Sequence, residues 1–121
     1  MSQANFGGDE RRKYVRIPFW FVTKYKPYAH GADLLEEFGQ GIGKNISVGG
    51  ICFETNNIFE TGTLLEVELD MPALSHGVCV VGKIVWTQPS LESEKVLYGL
   101  SFTKINNDDM AAVRKIVETF E

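Results

Sequence analysis

Alternation of apolar and charged side chains is the feature that most constrains this chain. Across residues 63–71, Leu65, Val67 and Leu69 fall on one face of an extended segment and Glu66, Glu68 and Asp70 on the other. A period of two residues belongs to a strand with one face in a core and the other in water. Half-buried strands of this kind are at home in antiparallel sheets. Neighbouring segments are of the same type. Residues 17–25 are rich in aromatic and β-branched types, with Pro18 near the start, where a missing amide donor is tolerated. Residues 78–86 and 96–105 read as long strands joined by a polar hairpin loop at 88–94 that contains Pro89. Residues 43–47 and 51–55 read as two more, joined by a tight turn at Gly49-Gly50. Five or six strands at such short spacing predict an all-β barrel or sandwich.

The period changes at the end. Met110, Val113, Val117 and Phe120 recur at three and four residues, with Ile116 beside them. This predicts one C-terminal α-helix of about 12 residues whose apolar stripe packs on the barrel. Asn106 or Asn107 can cap it, and Asp108 and Asp109 suit the positive end of its dipole. Residues 27–43 are less regular. A helical turn at 33–38 would place Leu34, Leu35 and Phe38 on one side, and Gly39, Gly41 and Gly43 would break it. The 29–41 stretch is then either a structured surface loop or a small lid or docking helix. Residues 1–10 read as a flexible tail and 11–121 as a single domain, the size expected for one core.

Charge narrows the function. The net charge of −4 argues against a general DNA or RNA binder, whose affinity is built on phosphate contacts. A phosphate-bearing ligand would have to be small and met by a local cluster of positive charge. No apolar run reaches the ~18 residues that cross a bilayer, and residues 1–10 lack the apolar core of a signal peptide. A cytoplasmic location without membrane insertion is expected. Cys52 and Cys79 are too few and too far apart for a disulfide scaffold or zinc ribbon, and read as reduced, partly buried structural thiols. His30 and His76 are isolated and lack metal-ligand spacing, Glu66, Glu68 and Asp70 read as a solvated strand face, and Ser47 has no nearby histidine. No catalytic residue, metal or cofactor is expected.

Two short motifs carry chemistry. Arg11-Arg12-Lys13-Tyr14-Val15-Arg16 precedes the first strand. Arginine presents a planar fork of donors that matches both guanine O6/N7 and phosphate oxygens. Arg12 and Arg16, four residues apart, can grip one ligand from two sides. Taken alone, the run reads as a solubilising basic flank. In Asn45-Ile46-Ser47-Val48-Gly49-Gly50, Asn45 and Ser47 leave an extended chain on the same face. The Asn amide and Ser hydroxyl can bond a base or phosphate, and Gly50 permits a turn or a close approach. Taken alone, this is an ordinary β-turn.

Together, R-x-x-x-R followed about thirty residues later by [D/N]-x-S-x-x-G resembles the paired signature of the PilZ domain family. The stretches F-E-T-G-T-L-L-E-V-E-L (59–69), G-K-I-V-W (82–86) and Y-G-L-S-F (98–102) resemble it too, so the likeness spans nearly all of residues 11–120. It implies a six-stranded antiparallel β-barrel with a C-terminal α-helix that binds cyclic di-GMP, a bacterial second messenger. Arg12 and Arg16 would then hold guanine edges and phosphates, Asn45 would read a guanine edge, Ser47 would contact the ligand and Gly50 would allow the turn. A basic residue at Arg11 accompanies, in this family, two stacked ligand molecules rather than one. Trp86 is either a stacking platform beside the site or part of the barrel wall. Ligand binding is expected to draw the N-terminal arm onto the barrel, and with one domain the signal would pass to a partner protein. The alternatives are a PilZ-like protein-interaction adaptor without nucleotide, a barrel for single-stranded nucleic acid, and an enzyme.

Overall fold

In a computed structural model, residues 17–28, 39–71 and 77–120 are described. They form β1 (Ile17–Pro27), β2 (Gly39–Ser47), β3 (Gly50–Thr55), β4 (Leu64–Asp70), β5 (Val78–Pro89), β6 (Val96–Ile105) and α1 (Asn107–Phe120). The strands close into an antiparallel barrel in the order β1-β2-β3-β6-β5-β4. Closure gives each strand a paired neighbour on both sides.

The alternation of β4 is realised. Leu65, Val67 and Leu69 point into the barrel and are buried, and the intervening Glu66 and Glu68 lie on the outside. Lys26 of β1, directly opposite Glu66, reaches its carboxylate at 3.5 Å. Inside, the rings of Tyr25, Phe53, Phe59 and Tyr98 pack edge-on or tilted, with centroids 5.2–5.7 Å apart. The Tyr25 hydroxyl, buried among them, donates to Asn57 Oδ1 at 2.7 Å and contacts Thr55 Oγ1. This burial raises the Tyr25 pKa.

Of the two candidate caps, Asn106 serves α1. Its Oδ1 accepts from the Asp109 amide at 2.7 Å while its side-chain amide donates to Asp109 Oδ2 at 3.1 Å. Asp109 Oδ2 also accepts from the Cys79 amide at 3.2 Å, tying the helix start to β5. Val113, Ile116 and Val117 then join the core. The helix covers 14 residues.

Two expectations change. β2 begins at Gly39 rather than Gly43, so Gly39 and Gly41 belong to a strand that starts earlier than the sequence pattern indicates. The reason is aromatic packing: a Cβ on Gly39 or Gly43 would fall 2.6 Å from the Tyr25 ring or 2.2 Å from the Phe21 ring. Cys79 is exposed on the outer face of β5, and only Cys52 is buried. Desolvation, followed by the charges of Glu68, Asp109 and Glu66, nevertheless raises the Cys79 pKa and disfavours the thiolate. The helical turn expected at 33–38, His30, His76 and the tail at 1–10 lie outside the described residues.

Candidate functional site

The Asn45–Gly50 motif forms the hairpin between β2 and β3, with Val48-Gly49 at its tip. Ser47 is buried at 2% exposure. Its Oγ accepts from the Gly49 amide at 3.2 Å and faces the Gly50 carbonyl at 3.4 Å, so the hydroxyl shapes the turn from within. Gly50 has a different reason from the one its place in a turn implies. Its φ is not in the left-handed region; among the described glycines only Gly62 is there. A Cβ at Gly50 would instead lie 2.1 Å from the Leu100 carbonyl oxygen, so glycine lets β3 approach β6.

Asn45 is half-buried on the outer face, because Ile46 next to it is fully buried in the core. The strand register sets what surrounds it. Pro18 pairs with Asn45, Asn45 with Cys52, Cys52 with Gly99, and Gly99 with Trp86. Asn45 and Trp86 thus stand in one row across the barrel wall. Three strand spacings, roughly 14 Å, separate their backbones, with Cys52 and Gly99 as the floor between. Trp86 leans across that floor: a Cβ on Gly99 would sit 2.1 Å from its indole Nε1. With 36% of its surface exposed, Trp86 is a wall residue with an open face. That is the barrel-wall position, one of the two alternatives its sequence context left open.

Bulges aim these side chains. The β2–β3 register passes from Gly43↔Phe53 to Asn45↔Cys52, leaving Lys44 as an unopposed extra residue. Gly43 faces the core ring of Phe21, so Lys44 and Asn45 leave consecutively on the outer face. In β5, Ile84↔Leu100 is followed by Trp86↔Gly99, and the extra residue Val85 lies exposed beside Trp86. A third irregularity, between Pro18 and Phe21 in β1, carries Trp20 outward to 67% exposure. All three fall along the same row.

A cavity of about 270 Å³ opens there, lined by Lys44, Asn45, Cys52, Glu54 and the β5–β6 hairpin residues Ser90, Leu91 and Glu92, among others. That hairpin is pinned over β3 by Glu54. Although it points outward, Glu54 is only 7% exposed. Its Oε2 accepts from Ser90 Oγ at 2.5 Å and from Ser93 Oγ at 3.3 Å, and its Oε1 lies 3.8 Å from Lys44 Nζ. The Ser90 hydrogen bond, reinforced by Lys44 and opposed by burial, holds the Glu54 carboxyl below its ordinary range.

Asn45, Ser47 and Gly50 thus form one hairpin and Trp86 joins them through the register. Arg11, Arg12 and Arg16 lie outside the described residues. Ile17, the residue after Arg16, pairs with Ile46 between Asn45 and Ser47. Sequence reasoning missed Lys44 and Glu54. A lysine beside Asn45 was visible, but the bulge that turns it onto the same face was not. Among the described residues no group of three or more His, Cys, Asp or Glu is placed to hold a metal ion, and no helix is long and apolar enough to cross a membrane.

The PilZ domain family matches residues 10–119, and the chain belongs to that family. Among solved structures, the fold is similar to that of the Bacillus subtilis inhibitor of motility MotI/DgrA, with a TM-score of 0.75 and 23% identity over 90% of this chain and 50% of that one. It is also similar to the PilZ domain of YcgR from Escherichia coli with c-di-GMP, with a TM-score of 0.66 and 13% identity over 91% of each chain. K. pneumonia MrkH in its c-di-GMP complex shares the fold at a TM-score of 0.64 and 18% identity, over 89% of this chain and 51% of that one. The chain spans about half the length of MotI/DgrA and MrkH. No match was found among curated proteins.

Proposed function

We propose that this chain is a receptor for cyclic di-GMP that acts in the bacterial cytoplasm by binding rather than by catalysis, and that transmits ligand occupancy to a partner protein. The observation that carries this reading is the pairing of Ile17 with Ile46. Consecutive Cα atoms are about 3.8 Å apart, so Arg16 is joined covalently to a position flanked by Asn45 and Ser47. On this reading the two halves of the family signature, distant in sequence, would meet at one barrel face. That face offers an amide at Asn45 for a guanine edge and the open indole of Trp86 for stacking, with Arg11, Arg12 and Arg16 to supply charge. The ligand is the only small molecule the reading requires; no cofactor is invoked.

Signalling follows from the same geometry. Ligand held between the Arg segment and the Asn45 row would bring the N-terminal arm onto the barrel and change the surface offered to a partner. Calorimetric titration of cyclic di-GMP into the protein tests the reading. Saturable binding is expected, with Arg12→Ala and Arg16→Ala each weakening it by about tenfold or more, as for charged hydrogen-bond partners. Two ligands per chain would support a role for Arg11 in holding a stacked pair, and one would count against it. A wild-type protein that gives no heat and no shift in melting temperature is not a receptor, and the adaptor reading then stands in its place.

A further inference from the structure

Lys44 is not part of the family signature, yet it lines the same cavity as Asn45. Its ammonium is shared three ways: 3.8 Å from Glu54 Oε1, 3.9 Å from Glu92 Oε1, and 4.0 Å from the centroid of the Trp20 ring. The two carboxylates are not equivalent. The Glu54 side chain is 8% exposed and fixed by two serine hydroxyls, whereas that of Glu92 is 81% exposed. Glu92 stands on the rim of the cavity, on a hairpin loop closed by bonds from Ser90 N to Lys95 O at 3.0 Å and from Glu92 N to Ser90 Oγ at 3.2 Å. Its carboxylate puts negative charge where an anionic ligand would approach Asn45.

We infer that Lys44 is a further ligand-binding residue and that Glu92 is its replaceable counter-ion, displaced when a ligand phosphate reaches the ammonium. The inference rests on the receptor reading above. Glu54 remains in place and keeps Lys44 aimed along the outer face. Glu92 exchanges because a pair at 3.9 Å with one carboxylate in water is worth little, whereas a phosphate oxygen at charge-assisted hydrogen-bond distance offers the cation a stronger partner. Lys44 therefore adds affinity, and Glu92 subtracts from it by competing for the same cation.

The test is a titration of cyclic di-GMP into wild type, Lys44→Gln, Glu92→Gln and the double variant, with thermal melts of each as a check on folding. Lys44→Gln is expected to weaken binding by about tenfold. Glu92→Gln, a change at an exposed position that leaves the fold intact, is expected to tighten it by about threefold. In the Lys44→Gln background the Glu92→Gln gain should vanish, because the competition it relieves is gone. Binding by Glu92→Gln equal to wild type overturns the inference. So does a gain of the same size in both backgrounds, which would reflect net charge alone. Wild-type protein that does not bind at all is a different failure, that of the receptor reading itself.

Discussion

Strands β3 and β4 have similar lengths and neighbours on both sides, yet they are built on opposite principles. In β4 burial alternates from residue to residue, core on one face and solvent on the other. In β3 all six residues, Gly50 to Thr55, are buried. An antiparallel strand is buried on both faces only when something covers its outer side. Here the cover is the β5–β6 hairpin, drawn onto Glu54 through Ser90 and Ser93, together with Lys44 reaching over from β2. One wall of the barrel is therefore an ordinary soluble surface. The other trades regularity for a recess lined by Lys44, Asn45, Cys52 and Glu54 and bordered by the β5–β6 hairpin. The Asn45–Gly50 motif lies on the wall that breaks the pattern, where bulges and close approaches hold side chains at angles that a regular strand cannot offer.

The largest difference between the walls should appear at Gly50. A methyl there would meet the Leu100 carbonyl oxygen at 2.1 Å, which is backbone and cannot swing away. Gly50→Ala is expected to cost about 3 kcal/mol or more, as in severe overpacking, and to lower the melting temperature by on the order of 10 °C. Glu68→Ala, on the outer face of β4, should stay within about 0.5 kcal/mol of wild type. Equal melting temperatures for the two variants would remove the idea that β3 is held by its tight approach to β6.

The legibility of the sequence divides along the same line. β4 could be read from alternation alone, and the period change at Met110 marked the helix, whose capping Asn106 was one of two candidates. The span of β6 follows from its residues as well. The start of β2 could not be read so, because Gly39 and Gly43 look like breakers until the rings of Tyr25 and Phe21 are known to need their space. Asn45, Ser47 and Gly50 were recognisable as a motif, but the reasons were not. The burial of Ser47 depends on local turn bonding, and Gly50 answers to a strand some fifty residues away. Glu54 carried no signal at all. A glutamate at an outward strand position reads as solvated, and only the folding-back of a hairpin buries it.

That buried glutamate gives the next prediction, of intermediate size. Replacing Glu54 by Gln removes the charge that Lys44, Ser90 and Ser93 converge on, at a cost of about 1–3 kcal/mol. The effect depends on pH. The folded-state pKa of Glu54 is lowered, so its contribution is full above the ordinary carboxylate range and is lost as pH falls through the folded value. Melting curves of wild type and Glu54→Gln should be well separated at neutral pH and converge on acidification. Curves that stay parallel down to the acid limit would show that the carboxylate charge does not hold the hairpin.

The smallest expected effect sharpens the comparison most, because it sets two similar pairs against each other. Lys26–Glu66 joins β1 to β4 at 3.5 Å, and Lys44–Glu54 lies on the covered wall at 3.8 Å. Distance alone favours the first. The lysine side chains are comparably covered, at 13% and 18% exposure, but Glu66 is 45% exposed and Glu54 only 8%. Solvent screens the first pair from one side, so a double-mutant cycle with Lys26→Met and Glu66→Gln should give a coupling of about 0–1 kcal/mol. At 1 M salt, where the screening length falls to about 3 Å, that coupling should fade. The equivalent cycle at Lys44 and Glu54 should give a larger value that survives the salt, because water and ions reach that carboxylate poorly. Equal couplings with equal salt dependence would mean that the cover over β3 does not exclude solvent, and that the two walls differ in shape but not in electrostatics.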